Sequence, residues 1–289
     1  MIYAESGDLS FIHKIRKNEF RGHVHSIFNR VVNLYNRLDG EIYTLAYKEM
    51  DNGPNTIILD IDKFTELEFE ISQKVFVENK ILYIEDKIAI SIEDVKPWEC
   101  ILPDYPIDAD ILKNNLKYMK DYIDNYGGYS SMGVQGKDKD IFFDEIKKML
   151  NERIEILKNE LLTNDNPDIL KYATNLLGLG FGLTPSGDDF LVGLFAVINM
   201  KDNLLYGHIH QCIEIANEAK KLTNDISYIT LKKASIGQVR ESLTDLLRDI
   251  TTGTQEEVEV SLKKVLNIGS LSGTDIALGI ICGLDINLK

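Results

Sequence analysis

Short runs of alternating apolar and polar residues fill the first hundred positions, whereas later apolar residues recur three and four positions apart. Alternation is typical of half-buried β-strands, and the wider spacing is typical of amphipathic helices. We therefore expect the first part of the chain to form a small antiparallel β-barrel or β-sandwich. Its predicted strands are 22–28, 41–47, 56–61, 74–77, 81–84 and 88–92.

Three prolines, Pro97, Pro103 and Pro106, mark the change from the strand pattern to the helix pattern. Proline disfavours helical backbone at the residue before it, so the cluster indicates a linker. We expect an α+β chain with a β-rich domain at 1–100 and a mostly α-helical domain at 101–289. The predicted helices are 107–125, 139–162, 167–177, 186–199, 207–222, 225–236, 239–250, 255–266 and 272–283.

Local signals add detail to the helical part. Thr254 with Glu257 fits a capping box, and Asn166-Pro167 fits a helix cap followed by proline at the first helical position. The glycine- and serine-rich stretch 127–136 is either a plain connector or a loop that covers a site.

An internal repeat is the most informative feature of the chain. Residues 186–194 (SGDDFLVGL) and 272–280 (SGTDIALGI) share the pattern SGxDxxxG, and each opens a long apolar run after a glycine-containing turn. This pattern predicts a duplicated helix–turn–helix unit whose second helices are central and buried. Gly193 and Gly279 would let these two helices approach closely, because a side chain at either position would hold them apart.

Composition excludes several classes of function. The formal net charge is −14, from 32 basic and 46 acidic residues. Without a basic block, nucleic acid is not an expected partner. The longest apolar runs are much shorter than the roughly 20 residues that span a bilayer, so no membrane association is expected. Cys100, Cys212 and Cys282 are widely spaced and the N-terminus lacks a secretory signal, so a reducing cytoplasm is expected.

The two repeat copies place polar residues where a helix can bind an anion. The first N–H groups of a helix are unpaired within it and carry partial positive charge. Thr184 and Ser186 add hydroxyl donors, and glycines such as Gly187 let a ligand approach the backbone. The competing interpretation is that Ser-x-x-Asp in each copy is only a capping pattern.

Three acidic residues belong to the same motifs. Asp188 and Asp189 point about 100° apart on a helix, so they cannot bind one small ligand in the same way. Asp189 matches Asp275 in the repeat, which makes these two the expected converging pair. Two carboxylates beside an anion need either a divalent cation such as Mg²⁺ or amide N–H groups of the ligand. The sequence leaves this choice open.

The stretch 178–193 (GLGFGLTPSGDDFLVG) resembles the signature of the AllH-like subunit family of oxamate carbamoyltransferase. Residues 223–234 (TNDISYITLKKA) and 269–279 (GSLSGTDIALG) fit the same resemblance. It implies an enzyme of purine and allantoin nitrogen catabolism that converts oxalurate and phosphate to oxamate and carbamoyl phosphate. It also implies partner subunits, one of them FdrA-like.

The family's catalytic residues do not transfer from this resemblance, so the roles here are hypotheses from the residues themselves. Asp189 and Asp275 are the candidate catalytic residues, which would orient the carbamoyl or amide nitrogen or hold Mg²⁺, the candidate cofactor. The substrate, a small anion such as carbamoyl phosphate, oxamate or oxalurate, would be bound by Gly180, Gly182, Thr184, Ser186, Gly187, Asp188, Thr223, Ser227, Ser272, Gly273 and Thr274.

Two alternatives remain open at this level. The chain could be a non-catalytic structural subunit whose SGxD motifs are helix caps, or a metal-dependent small-molecule enzyme of another class. Thr223 and Ser227, four positions apart, are expected on one helix face, where Thr223 alone could instead cap the helix. His23 and His25 share the face of a predicted strand, a possible metal pair for which no third ligand is visible.

Overall fold

The computed structural model describes residues 1–64, 67–106, 108–126, 141–163 and 168–288. The chain divides into two compact units, Met1–Cys100 and Ile101–Lys289. The expected cap at Asn166-Pro167 and the glycine-rich stretch 127–136 lie outside the described residues.

The first unit is a β-barrel, as the alternating pattern predicts. The elements are β1 (Ile2–Asp8), α1 (Leu9–Arg16), β2 (Arg21–Ile27), β3 (Val31–Asn36), β4 (Glu41–Tyr47), β5 (Thr56–Leu59), β6 (Lys74–Glu78), β7 (Ile81–Ile84), β8 (Ile88–Ser91) and β9 (Lys96–Trp98). The sheet runs in the order β5-β4-β3-β2-β6-β7-β8-β1, and an antiparallel pairing of β1 with β5 closes it. Most neighbouring strands are antiparallel, but β4–β5, β1–β8 and β1–β9 are parallel.

Alternate side chains of the strands fill the barrel, which has its own hydrophobic core. Helix α1, which the strand pattern did not predict, contributes the buried Phe11, Ile12 and Ile15 to this core. Phe11 lies against Phe20 and Tyr43, with ring centroids 5.8 and 4.6 Å away. Tilted aromatic contacts of this kind stabilise a core beyond the area they bury.

The second unit is helical, as predicted. Among the described residues, no helix is long and apolar enough to cross a membrane. A short 3₁₀ turn at Tyr206–His208 precedes α6. The helices are α2 (Asp110–Tyr126), α3 (Ile141–Thr163), α4 (Ile169–Thr174), α5 (Ser186–Ile198), α6 (Ile209–Leu222), α7 (Asp225–Ala234), α8 (Glu241–Thr252), α9 (Gln255–Leu266) and α10 (Ser272–Asn287).

Helices α5 and α10, which open with the two repeat copies, pack against each other at the centre of this unit. All 13 residues of α5 are buried. A Cβ built on Gly193 would lie 2.0 Å from the Ile276 carbonyl oxygen, and one on Gly279 would lie 2.0 Å from that of Phe190. The contact is therefore reciprocal, and both glycines are needed for the helices to meet backbone to backbone.

Candidate functional site

The two helix starts are built in the same way. Gly187 N donates to the Leu179 carbonyl oxygen at 2.8 Å, and Gly273 N donates to that of Ile268 at 2.9 Å. A Cβ on Gly187 would lie 2.1 Å from the Leu176 carbonyl oxygen, just after α4, and one on Gly273 would lie 2.0 Å from the Val265 carbonyl oxygen, in the last turn of α9. The glycine of each Ser-Gly pair therefore lets its helix begin in close contact with the backbone of the segment that precedes it.

The turn before α5 is the longer of the two. Gly187 bonds to a carbonyl eight positions back, whereas Gly273 bonds to one only five positions back. Three glycines shape the longer turn, with φ values of +70° at Gly178, +122° at Gly180 and +104° at Gly182. A Cβ at Gly180 would also approach Ser186 N to 2.6 Å. These positions require glycine, since other residues rarely adopt such backbone angles.

The SGxD motifs do not act as capping boxes. Ser186 and Ser272 are the first helical residues, and the N-cap positions are Pro185 and Leu271. Within the described part of the chain, neither N-cap makes a side-chain capping hydrogen bond. By contrast, the capping box predicted for Thr254 is present at the start of α9. The competing interpretation, in which Ser186 and Ser272 cap their helices, does not fit the structure, because each serine lies one position inside its helix.

A hydroxyl bridge joins the two repeat copies. Thr184 Oγ1 donates to Asp189 Oδ2 at 2.8 Å and lies 2.8 Å from Ser272 Oγ. Thr184 and Ser272 are half-buried, whereas Asp189 and Asp275 are buried, at 5% and 1% exposure. Side chains 88 positions apart in sequence thus form one polar cluster at the starts of α5 and α10.

The carboxyl group of Asp189 has a raised pKa within this cluster. The pKa of its carboxyl is raised to about 7, mainly by burial. Hydrogen bonds from Thr184 and Ser272 lower this pKa, and the negative charges of Asp275 and Asp188 raise it. Desolvation disfavours the charged form of an acid, and a nearby like charge has the same effect. Asp189 can therefore exchange a proton near neutral pH, as a general acid or base must.

Asp188 points away from this cluster and secures the glycine-rich turn. Its Oδ1 accepts from Gly178 N at 2.8 Å, and its Oδ2 accepts from the Thr223 hydroxyl. Burial raises the pKa of Asp188, while these bonds and the nearby Ser227 hydroxyl lower it. Ser227 Oγ lies near enough to Asp188 to lower the pKa of its carboxyl. Among the described residues, however, Ser227 Oγ has no partner with the geometry of a hydrogen bond. Asp188 therefore anchors the glycine-rich turn to the residue that precedes α7.

Thr223 precedes α7 and does not cap it. The N-cap is Asn224, whose side chain accepts from Ile226 N and Ser227 N at 3.1 Å. Its Nδ2 also donates to the Leu183 carbonyl oxygen at 2.8 Å. The expectation that Thr223 lies on one helix face with Ser227 is wrong, because the helix starts only at Asp225. The junction of α6 and α7 instead holds the turn that carries Thr184.

Three backbone N–H groups at each helix start, those of the second to fourth helical residues, donate within the chain. Besides Gly187 and Gly273, Asp188 N and Asp189 N donate to the Pro185 carbonyl oxygen, at 3.0 and 3.1 Å. Thr274 N and Asp275 N donate in the same way to the carbonyl oxygen of Leu271. An incoming ligand therefore meets mainly side-chain hydroxyls and carboxyl groups.

Ser186 is a donor and acceptor that the fold leaves unused. Its side chain is buried at 1% exposure beneath Gly180, and among the described residues its Oγ has no hydrogen-bond partner. Leaving a buried hydroxyl unpaired costs free energy, so such groups usually have a partner that is protein, water or ligand.

Metal-binding candidates are weaker than this polar cluster. Within the described residues, no three His, Cys, Asp or Glu side chains are grouped so that they could hold a metal ion. The ring of His23 is tilted by 47° against that of Tyr35, with ring centroids 5.3 Å apart, and His25 Nδ1 lies 3.1 Å from Ser26 Oγ. Burial, with Arg37 and His25, lowers the pKa of His23.

Comparison with known proteins gives two matches to family models. The model described as oxamate carbamoyltransferase subunit AllH matches residues 176–284, which contain both helix starts. The model described as the AllH family N-terminal domain matches residues 3–97, which form the barrel. Together the matched ranges cover well over half of the chain. No solved structure matches the chain significantly.

Proposed function

Because this chain belongs to the AllH family of oxamate carbamoyltransferase subunits, we propose that it binds substrate in the enzyme that interconverts oxalurate plus phosphate with oxamate plus carbamoyl phosphate. The proposed site is the polar cluster of Thr184, Ser186, Asp189, Ser272 and Asp275. The observation that carries this assignment is the bridge from Thr184 to both Asp189 and Ser272. It unites the two motifs at a carboxyl group that titrates near neutral pH.

The proposed reaction needs a group that can donate a proton to the leaving nitrogen. A phosphate oxygen forms a bond to the carbamoyl carbon of oxalurate, and the bond from that carbon to the oxamate nitrogen breaks. The proton lost by phosphate ends on the amide nitrogen of oxamate, so atoms and charge balance. An amide anion is a poor leaving group without protonation, and a carboxyl group with a pKa of about 7 suits this transfer.

The acidic and hydroxyl residues at the two helix starts have distinct roles in the proposal. Asp189 holds and transfers the proton. Its high proton affinity comes mainly from burial, and the negative charge of Asp275 adds to it. Thr184 and Ser272 form the solvent-facing edge that contacts substrate. Asp188 is assigned to positioning, since its oxygens already accept from Gly178 and Thr223.

The test is reconstitution of the full chain with the other carbamoyltransferase subunits and measurement of carbamoyl phosphate formed from oxalurate and phosphate. Asp189→Asn keeps the side-chain shape but removes the titrating proton. We expect it to lower kcat by at least 100-fold, within the range that general acid–base catalysis contributes. Thr184→Val, which keeps the shape but removes the bridging hydroxyl, should lower kcat/KM about tenfold or more, because a lost hydrogen bond to a charged group costs on the order of 2 kcal/mol.

Thr254→Ala is the matched control. It removes the cap of α9, away from the polar cluster, and should cost about 1 kcal/mol of stability. Its activity should equal that of the unmodified chain. Full activity in folded Asp189→Asn would overturn the catalytic assignment. A reconstituted complex that keeps full activity with every cluster variant would favour a structural subunit instead.

A further inference from the structure

We propose that the cluster at the starts of α5 and α10 binds the neutral amide end of its substrate through that group's N–H donors, and that the phosphate oxygens are held outside this cluster. The proposal rests on the proposed function for the identity of the substrate. It adds that the cluster recognises the nitrogen that oxamate and oxalurate have in common, whereas phosphate is bound outside the cluster.

The first argument is the hydrogen bonding of the two helix starts. A helix holds an anion through its unpaired N–H groups. Here Gly187, Asp188 and Asp189 of α5 donate to carbonyl oxygens of Leu179 and Pro185. The corresponding groups of α10 donate in the same pattern to Ile268 and Leu271. Phosphate would have to displace these bonds, whereas an amide does not use them.

The second argument is charge. The carboxyl groups of Asp188, Asp189 and Asp275 are all buried at these starts, at 1 to 5% exposure. Burial is the main cause of the raised pKa of Asp189, and the negative charges of Asp275 and Asp188 add to it. A doubly charged phosphate in the same place would be repelled by these groups, since like charges interact strongly where water is excluded. A neutral amide instead donates to carboxylate oxygens, which are good acceptors.

The third argument is an unused buried hydroxyl. Among the described residues, Ser186 Oγ has no hydrogen-bond partner, although the side chain is 1% exposed. It lies on the first turn of α5, the same turn that carries Asp189. A hydroxyl both donates and accepts, so it can accept one N–H of an amide while a carboxyl oxygen accepts the other. This pairing fits the primary amide of oxamate, which has two N–H donors on one nitrogen, and the same nitrogen of oxalurate keeps one of these two donors.

Two ligands of nearly equal size distinguish an amide site from an anion site. Oxamate has one carboxylate and one amide, whereas oxalate has two carboxylates. We would titrate the full chain with each by calorimetry at pH 7.5, and with inorganic phosphate in a separate titration. We expect oxamate to bind at least tenfold more tightly than oxalate, and phosphate to give no saturable heat at millimolar concentration.

Variants test which residues cause this preference. Asp189→Asn removes the repelling charge and should reduce the oxamate-to-oxalate ratio to within about threefold. Ser186→Ala removes an unpaired hydroxyl, so it should leave thermal stability unchanged while weakening oxamate at least fivefold. Thr254→Ala lies outside the cluster and should bind oxamate like the unmodified chain.

Four results would overturn the inference: oxalate or phosphate binding as tightly as oxamate, absence of oxamate binding, oxamate binding that requires added Mg²⁺, or binding unchanged in both cluster variants. These outcomes are separate from the fate of the proposed function, because they are measured without turnover. Oxamate selectivity with an inactive reconstituted complex would retain the amide site and reject the carbamoyltransfer role of this chain.

Discussion

At the scale of single residues, Asp189 is set apart from its neighbour Asp188 by what surrounds each carboxyl group. Asp188 accepts from a backbone N–H and a hydroxyl and thereby holds the glycine-rich turn. Asp189 accepts from the Thr184 hydroxyl and lies close to two other negative groups. The same residue type, one position apart, therefore anchors the turn in one case and, in the proposed function, exchanges a proton in the other.

The raised pKa of Asp189 has a measurable effect on stability. The ordinary value is 3.8 and the folded value is about 7, so the folded chain binds the proton more tightly than the unfolded chain. Stability from this group is thus greatest below pH 4 and is lost as pH rises toward 7. Asp189→Asn, which is always neutral, should therefore be more stable than the unmodified chain at pH 8, with a smaller difference at pH 5.

Urea unfolding at pH 5 and pH 8 measures this difference. The expected change is about 1.4 kcal/mol for each pH unit crossed between 5 and 7, so on the order of 2 to 3 kcal/mol in total. Asp124→Asn, an exposed carboxyl on α2, is the control and should show the same small effect at both pH values. An Asp189→Asn effect that is independent of pH would contradict the assigned environment.

Part of this site could be predicted from the sequence. The repeat pairs Asp189 with Asp275, and helical geometry separates Asp188 from Asp189. The hydrogen bonds of the N–H groups could not be predicted, because they depend on how each turn folds back on its helix. The Ser-x-x-Asp pattern also allowed Ser186 and Ser272 to be interpreted as helix caps. It could not show that each serine lies one residue inside its helix, because that too depends on how the preceding turn folds.

At the scale of elements, the repeat predicts the close pairing of α5 with α10, and the two glycines make it possible. Gly193→Ala would place a Cβ 2.0 Å from the Ile276 carbonyl oxygen, a backbone atom that cannot turn aside. Separating two central helices should cost about 3 kcal/mol, in spite of the better helix propensity of alanine. Gly279→Ala should cost a similar amount, since its contact is the reciprocal one.

Thermal unfolding of the glycine variants checks this prediction. Gly207→Ala is the matched control, because a Cβ there meets no described atom within 4 Å. It should change stability by less than about 0.5 kcal/mol. Variants at Gly193 and Gly279 that are as stable as the Gly207 variant would mean that the helices do not meet at these glycines.

Other elements were harder to predict for identifiable reasons. Most helices of the second unit follow from apolar spacing, because each of them buries one face, whereas α5 is buried on all sides and follows from its apolar run. Strand β3 was missed since buried Asn33 and Asn36 interrupt its apolar pattern, and their side chains bond to Ser26, Thr44 and the Glu19 carbonyl oxygen instead. Strands β1 and β9 pair with segments that are distant in sequence, and local alternation does not reveal such pairings.

At the scale of the whole molecule, the barrel depends on β1 for closure. This strand pairs with β5 at one edge and with β8 and β9 at the other. A closed barrel satisfies the backbone of its strands without help from another domain. We therefore expect residues 1–100, expressed alone, to fold into a β-rich domain with cooperative thermal unfolding by circular dichroism.

The fragment 9–100 provides the matched comparison for this prediction. It keeps α1 and the other strands but lacks β1, so strands β5 and β8 have no partner between them and the barrel opens. Open apolar edges promote aggregation, and the loss of Ala4 from the core adds to the cost. We expect 9–100 to be unfolded or aggregated where 1–100 is monomeric and folded. If both fragments fold equally well, closure through β1 is not what stabilises the barrel; if neither folds, the barrel requires the helical part of the chain.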